Sequence, residues 1–186
     1  MQVRNQQLSI MMPGSNYGRI MVNAGKSHSC GLEATLRGRV FDNALDWGVT
    51  YAFTNAKFDE YDEYDDNYVP FVPQHTFSAM ADWHIGKFTI GANLAGQGKI
   101  WWDEANTYSQ KLYATLGAHV DYQIPLLSRR GGDSRGGLIV VSLWGRNLTD
   151  TKYNTFAIQS SAAGSTRYFA QRANPIQVGL DVNIHL

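Results

Sequence analysis

The last eleven residues, 176–186, alternate without a break. Ile176, Val178, Leu180, Val182, Ile184 and Leu186 are apolar, and Gln177, Gly179, Asp181, Asn183 and His185 between them are polar or glycine. Side chains of a strand point alternately to opposite faces, so a period of two means one oily face and one wet face. The same period recurs upstream. Cys30, Leu32, Ala34, Leu36 and Val40 share one parity, with Glu33, Thr35, Arg37 and Arg39 on the other. Leu45, Trp47, Val49, Tyr51 and Phe53 follow, then Phe77, Ala79, Ala81, Trp83 and Ile85. Phe88, Ile90, Ala92 and Leu94 come next, and after them Leu112, Ala114, Leu116, Ala118, Val120 and Tyr122. With a candidate at 3–12, a continuous one at 19–41 and the run from Gly137, the chain reads as about eight strands without a helix-period segment. Turns at 13–16, 42–44 and 86–87 and a polar connector at 126–136 separate them. The expected fold is all-β, an antiparallel up-and-down meander in a single domain over 1–186.

Composition narrows what surrounds this meander. Charged residues make up 17%, below the roughly 25% usual in soluble domains. A formal net charge of zero gives no nucleic-acid footprint. No run approaches the ~20 apolar residues of a membrane helix; a transmembrane barrel needs none, because its alternate residues are polar. Aromatics gather at strand ends: Phe41, Trp47, Trp83 and Phe88 near the short turns, and Tyr61, Tyr64, Tyr68, Trp101, Trp102 and Tyr108 at the other end. Such girdles mark the two interfaces of a bilayer. The apolar faces are therefore expected to meet lipid, with Trp47 and Trp83 side by side at the short-turn interface. The other parity would line a polar interior, with Glu33, Arg37, Arg39, Asp82, Asn93 and His119 as candidate ligand contacts, and Lys99 and Asp181 beside them. The one mismatch is the thirteen-residue stretch at 124–136, which falls on the short-turn side.

Three segments carry a resemblance. One runs from Asn23 through Gly25 to Gly31 and Glu33, in the pattern Asn-Ala-Gly followed by Gly-Leu-Glu. Another is Tyr51-Ala52-Phe53-Thr54-Asn55-Ala56-Lys57-Phe58. The third is Gly145-Arg146-Asn147-Leu148-Thr149-Asp150-Thr151-Lys152-Tyr153, followed by a last strand that opens at Pro175. Their wording, order and spacing resemble the C-terminal part of the barrel in TonB-dependent outer-membrane receptors. The family's last strand usually has Pro-Arg and a terminal Phe where this chain has Pro175-Ile176 and Leu186. The resemblance implies a barrel of about 22 strands with a plugged lumen, in the outer membrane of a Gram-negative bacterium. Its role would be uptake of a scarce nutrient, an iron–siderophore first among them. The expected partners are the lipid bilayer, a plug domain and the remaining strands, with TonB reached only through an N-terminal part. Residues 1–5 lead into no apolar core, so a fragment or processed chain is the expectation. The alternative is a self-contained eight-stranded outer-membrane barrel of structural or adhesive role, closed by pairing 3–12 with 176–186.

Other chemistry has less to stand on. The acidic run at 59–66 (Asp59, Glu60, Asp62, Glu63, Asp65, Asp66) lacks the glycine and spacing of a calcium loop and reads as a solvated outer loop. His84 and His119 share the polar parity, but a metal centre needs further ligands close by. Cys30 is the single cysteine, which excludes an intrachain disulfide. No nucleophile–base pair or carboxylate dyad can be placed, so no enzyme activity, cofactor or metal is expected.

Overall fold

The computed structural model describes the chain except residues 1, 5–6, 12–18, 24, 127–136, 163–164 and 186. Its strands are β1 (Gln2–Arg4), β2 (Gln7–Met11), β3 (Arg19–Asn23), β4 (Lys26–Val40), β5 (Leu45–Glu60), β6 (His75–Ile85) and β7 (Phe88–Gln97). They continue as β8 (Ile100–Trp101), β9 (Ser109–Gln110), β10 (Tyr113–Pro125), β11 (Leu138–Arg146), β12 (Asn154–Ala162), β13 (Ser165–Arg172) and β14 (Gln177–His185). One 3-10 turn at Asp62–Tyr64 is the helical element among the described residues.

Eight strands form one antiparallel sheet in the order β1-β4-β5-β6-β7-β10-β11-β14. Registers keep the apolar parity in phase from strand to strand. One cross-strand row reads Val40, Leu45, Trp83, Ile90, Val120, Leu143 and Leu180. Another reads Leu36, Val49, Ala79, Leu94 and Leu116. These residues stay uncovered by protein: Leu36 is 66% exposed, Leu143 58% and Leu180 65%. An apolar face this continuous requires an apolar solvent.

Turn chemistry sets the short ends. Phe41, Asp42 and Asn43 all have positive φ (55°, 52° and 68°), and Ala44 N donates to Phe41 O at 2.9 Å to close that turn. Asp and Asn tolerate this region better than most residues. Gly86 (φ 61°) opens the two-residue turn between β6 and β7.

The structure corrects the sequence reading at three places. The expected strand at 19–41 is two strands, because Gly25 sits at φ 69° between them. A Cβ on Gly25 would collide with the Glu60 carbonyl, so only glycine fits. The expected strand at 3–12 is β1, which pairs with β4, and β2, which pairs with β3 in a separate hairpin. The closed eight-stranded barrel fails: the eight-stranded sheet is open, with β1 and β14 as its two edges. A three-residue β1 offers too few backbone groups to close against the nine residues of β14. The expected turn at 13–16 and, beyond Leu126, the connector to 136 lie outside the described residues.

Aromatic placement differs at the two ends. Trp47 faces Gly38 and Ala81 while Trp83 faces Leu45, so the two indoles are diagonal rather than directly paired. The Trp47 ring fills the place a Cβ on Gly38 would take, the packing of an aromatic over a glycine that steadies register. At the far end, Tyr61 and Trp102 are buried in loop cores instead of lying in an outer girdle. Val49 stands mid-strand on the apolar face. Val49→Arg should therefore cost about 2–4 kcal/mol in lipid, against about 0–1 kcal/mol beyond the lost ring contact for Trp47→Arg. Urea unfolding of both variants in lipid vesicles measures the difference; equal penalties would argue against a bilayer on this face.

Candidate functional site

The other face of the same sheet is polar, and its rows bring together residues far apart in the chain. One row reads Arg39, Asp46, Asp82, Gly91, His119, Trp144 and Gly179. The next reads His84, Thr89, Asp121, Ser142 and Asp181. Arg39 forms a two-point ion pair with Asp46, whose other side receives His84 Nε2 at 3.1 Å. His84 Nδ1 in turn lies 3.1 Å from Thr89 Oγ1. His119 Nε2 sits 3.7 Å from Asp82 and 3.6 Å from Asp121. Trp144 Nε1 donates to Asp181 Oδ2 at 2.8 Å. Gly91 leaves room for this pair, since a Cβ there would meet the His119 ring and the Asp82 carboxylate. The alternation that clears one face of charge thus concentrates opposite charges on the other.

Most expected interior residues lie on this face, but they do not form one cluster. Arg39, Asp82 and His119 share the row above. Arg37 lies against Gly48 beside Met80, and Asn93 covers Gly117 nearer the long-loop end. Glu33 is exposed opposite Ala52. Lys99 leaves the sheet and places its Nζ 3.5 Å above the Trp101 ring. His84 and His119 are each engaged by carboxylates, and among the described residues no group of three or more His, Cys, Asp or Glu side chains is arranged to hold a metal ion.

Toward the long-loop end an open cleft of about 520 Å³ cuts into the polar face. Asn93, Thr115, Arg146, Tyr153, Arg172 and Gln177 are among the residues that line it. Sequence reasoning missed Arg146 and Arg172. The signal was present: Arg146 shares parity with Trp144 and Ser142, and Arg172 precedes the Asn174-Pro175 break.

Beside this cleft the third motif forms a knot. Asn147 (φ 48°) and Asp150 (φ 47°) take left-handed conformations. The buried Asn147 side chain donates to Thr151 O and Asn174 O, both at 3.1 Å. Its Oδ1 accepts from Thr151 N at 2.9 Å. Asp150 Oδ1 accepts from Ile176 N at 3.3 Å, one residue after Pro175. Leu148 N donates to Leu116 O at 2.8 Å, and Tyr153 stacks on Tyr113 at 3.9 Å. Of the first motif, Asn23 closes β3 opposite Gln7, and a Cβ on Gly31 would collide with the Phe53 carbonyl.

The long loops are packed together. The acidic run wraps an aromatic core in which Phe58 and Tyr61 are buried, with Tyr64 and Val69 against them. The Glu63 hydrogen bond, then burial, push the Tyr64 phenol up to about 12. Asn106 brackets Tyr68, accepting from its N at 2.7 Å and donating to its O at 2.9 Å. Tyr108 stacks on Tyr168 at 4.1 Å, and Phe71 packs on both Trp102 and Phe156 at 5.6 Å.

Asn147→Ala removes three part-buried hydrogen bonds, so it should cost about 2–3 kcal/mol. Asn147→Asp keeps the acceptor but turns its second oxygen on the two carbonyl oxygens that the amide now donates to, and should cost more. Unfolding midpoints of the two variants in lipid vesicles check the order, and a reversed order would contradict the knot.

Comparison with known proteins agrees with this geometry. The family model of the TonB dependent receptor-like β-barrel matches residues 1–148. The ferrioxamine receptor of Yersinia enterocolitica is 30% identical over 165 residues, covering 86% of this chain and 22% of that protein. Among solved structures, the ferric yersiniabactin uptake receptor FyuA of Yersinia pestis superposes with a TM-score of 0.73 at 21% identity, over 97% of this chain and 25% of that one. The siderophore receptor PiuA of Acinetobacter baumannii gives 0.69 at 19% identity, over 97% and 24%. The chain thus spans about a quarter or less of the length of these relatives. Members of the family are outer-membrane receptors that transport rather than catalyse. With its apolar outer face, polar inner face and matched family model, the chain belongs to the TonB-dependent receptor β-barrel family.

Proposed function

We propose that this chain is the C-terminal wall segment of an outer-membrane receptor that takes up an iron–siderophore complex. The observation that carries the reading is the open two-faced sheet: apolar rows on one side, paired charges on the other, and a free edge at each end. A face crossed by Arg39, Asp46, Asp82 and His119 fits a polar lumen, and the apolar face fits lipid. The free edges call for further strands of a larger barrel, because an unpaired strand edge is an exposed template. Residues 1–186 act as one piece of that barrel, in the outer membrane of a Gram-negative cell. Its lumen face, with Glu33, Arg37, Arg39, Asp82, Asn93 and His119, meets the plug domain, water or the passing ligand. TonB engages the receptor through its N-terminal part.

The ligand class follows the relatives, whose names specify ferrioxamine, ferric yersiniabactin and siderophores. Cells that make the receptor should accumulate radiolabelled iron supplied as a siderophore complex. Cells lacking it, or lacking TonB, should not. Accumulation unchanged by loss of the receptor would remove iron–siderophore uptake as its role.

A further inference from the structure

At the long-loop end, three excursions from the sheet are stitched to one another. They are 61–74 between β5 and β6, 98–112 between β7 and β10, and the β12–β13 hairpin. The first meets the second through polar contacts: Asn67 Nδ2 donates to Glu104 O at 2.9 Å, and Phe71 N to Trp101 O at 2.9 Å. Asn106 accepts from Tyr68 N and donates to Tyr68 O. The second and third share an apolar core, in which Ile100, Trp102 and Ala157 are buried with Tyr108 against them. Asn154 N donates to Gln110 Oε1 at 3.0 Å, and Tyr168 stacks on Tyr108 while its hydroxyl lies 3.2 Å from Thr107 Oγ1. Phe71 joins the first excursion to the third by stacking on Phe156. Each excursion thus touches both of the others. The backbone bears this out: Phe71 and Asn106, which carry contacts between loops, have φ of 64° and 54°. A bulky residue such as Phe71 holds this region only where its surroundings over-determine it. Buried Asp103 fixes the second excursion from within, accepting from Thr107 N at 3.0 Å and Tyr108 N at 2.9 Å.

We infer that these three excursions are one preformed cap, latched through Phe71, Trp102, Ala157 and Tyr168, which opens and moves as a single body. Segments that open singly carry few buried apolar contacts. Here Ala157 of the hairpin is buried with residues of the second excursion, and Phe71 of the first packs on both Trp102 and Phe156. Freeing any one of the three exposes faces that the other two now cover, so their openings are coupled. The rim around the polar face is therefore in place before any ligand arrives. What this means for transport rests on the uptake reading above: the ligand enters past a rigid rim, and these loops do not close over it one by one.

The test uses the whole receptor in detergent micelles and reads backbone amide hydrogen exchange by mass spectrometry. Tyr168→Ala removes the stack on Tyr108 and changes no residue of the other two excursions. Exchange should quicken about tenfold at 154–172, the effect of one lost aromatic pair, and by a similar factor at 62–72 and 99–110. Tyr168→Phe keeps the ring and should leave all three near wild type. Ala157→Asp puts a charge into the shared core and should release all three further; where it fails to insert, Tyr168→Ala decides alone. Quickening confined to 154–172, or spread equally over β7 and β10, would overturn the single cap. A second arm replaces Cys30 by serine, introduces Thr107→Cys and Tyr168→Cys, and joins them in intact cells with a short bifunctional thiol reagent. Accumulation of radiolabelled iron from its desferrioxamine B complex should be the same with and without the crosslink. Its loss on crosslinking would mean that the two excursions part during entry, and the cap as one body fails while uptake stands. If no form of the receptor accumulates iron from this complex, the uptake of that chelate falls and the exchange rates still decide the cap.

Discussion

Everything in this structure depends on a phase relation. Seven consecutive strands hold apolar side chains on the same face, so that one row runs unbroken from Val40 to Leu180. Slipping any ladder by one residue would turn an entire strand over, sending its charges toward lipid and its leucines toward water. In a bilayer a charge near the midplane costs a few kcal/mol, so several misplaced at once would outweigh any gain from alternative pairing. The register is fixed by this penalty more than by any single contact. It is also why the sheet can be one layer thick: the usual opposing layer of protein is replaced by lipid.

Strand length then explains the difference between the two ends. β5 has 16 residues, which at ~3.3 Å per residue spans roughly 50 Å. Tilted by about 40°, it rises roughly 40 Å, against an apolar band of about 25 Å. Its last turn of chain must therefore stand clear of the membrane. There Ala56 and Phe58 are buried, and Tyr61 and Tyr64 of the folded acidic run pack on Phe58. The same residues that would face lipid or lumen lower down need a core of their own above the bilayer, and the long loops provide it through Tyr61, Trp102 and Ala157. Below, among the described residues, Gly86-Lys87 alone suffices to join β6 to β7.

The meander was legible in the sequence because period two is a local signal repeated along each strand. The row partners were legible as a set, though not one by one: Arg39, Asp82 and His119 were placed on a common face, while their alignment in one row depends on turn lengths. Gly25 hid the break between β3 and β4, since a glycine inside an alternating run looks the same whether its φ is negative or positive. Tyr61 and Trp102 were assigned to a girdle because aromatics at strand ends have two uses, in an interface or in a loop core, and only contacts distinguish them. Arg146 and Arg172 were passed over for a related reason. They lie 26 positions apart, and only the excursion between β11 and β14 returns one to the other.

That excursion shows how the third motif serves the cleft. β11 and β14 pair directly, with Arg146 opposite Gln177 on the last rung, and the β12–β13 hairpin leaves the sheet between them. A hairpin inserted at the end of a ladder would splay its base unless something ties the outgoing chain to the returning one. Asn147 does this from the outgoing side by donating to Asn174 O, Asp150 by accepting from Ile176 N, and Tyr153 by accepting from Ala173 N. Pro175, between two of these ties, has no N–H to satisfy. The left-handed turns at Asn147 and Asp150 are strained backbone, held because their side chains and neighbours determine them from several directions. Their consequence lies one residue either side. Arg146 precedes the first tie, and Arg172 precedes the residue bonded to Tyr153, so the knot that closes the hairpin also sets the backbone of both arginines beside one cleft. Two residues of that signature, Asn147 and Tyr153, line the same cleft themselves.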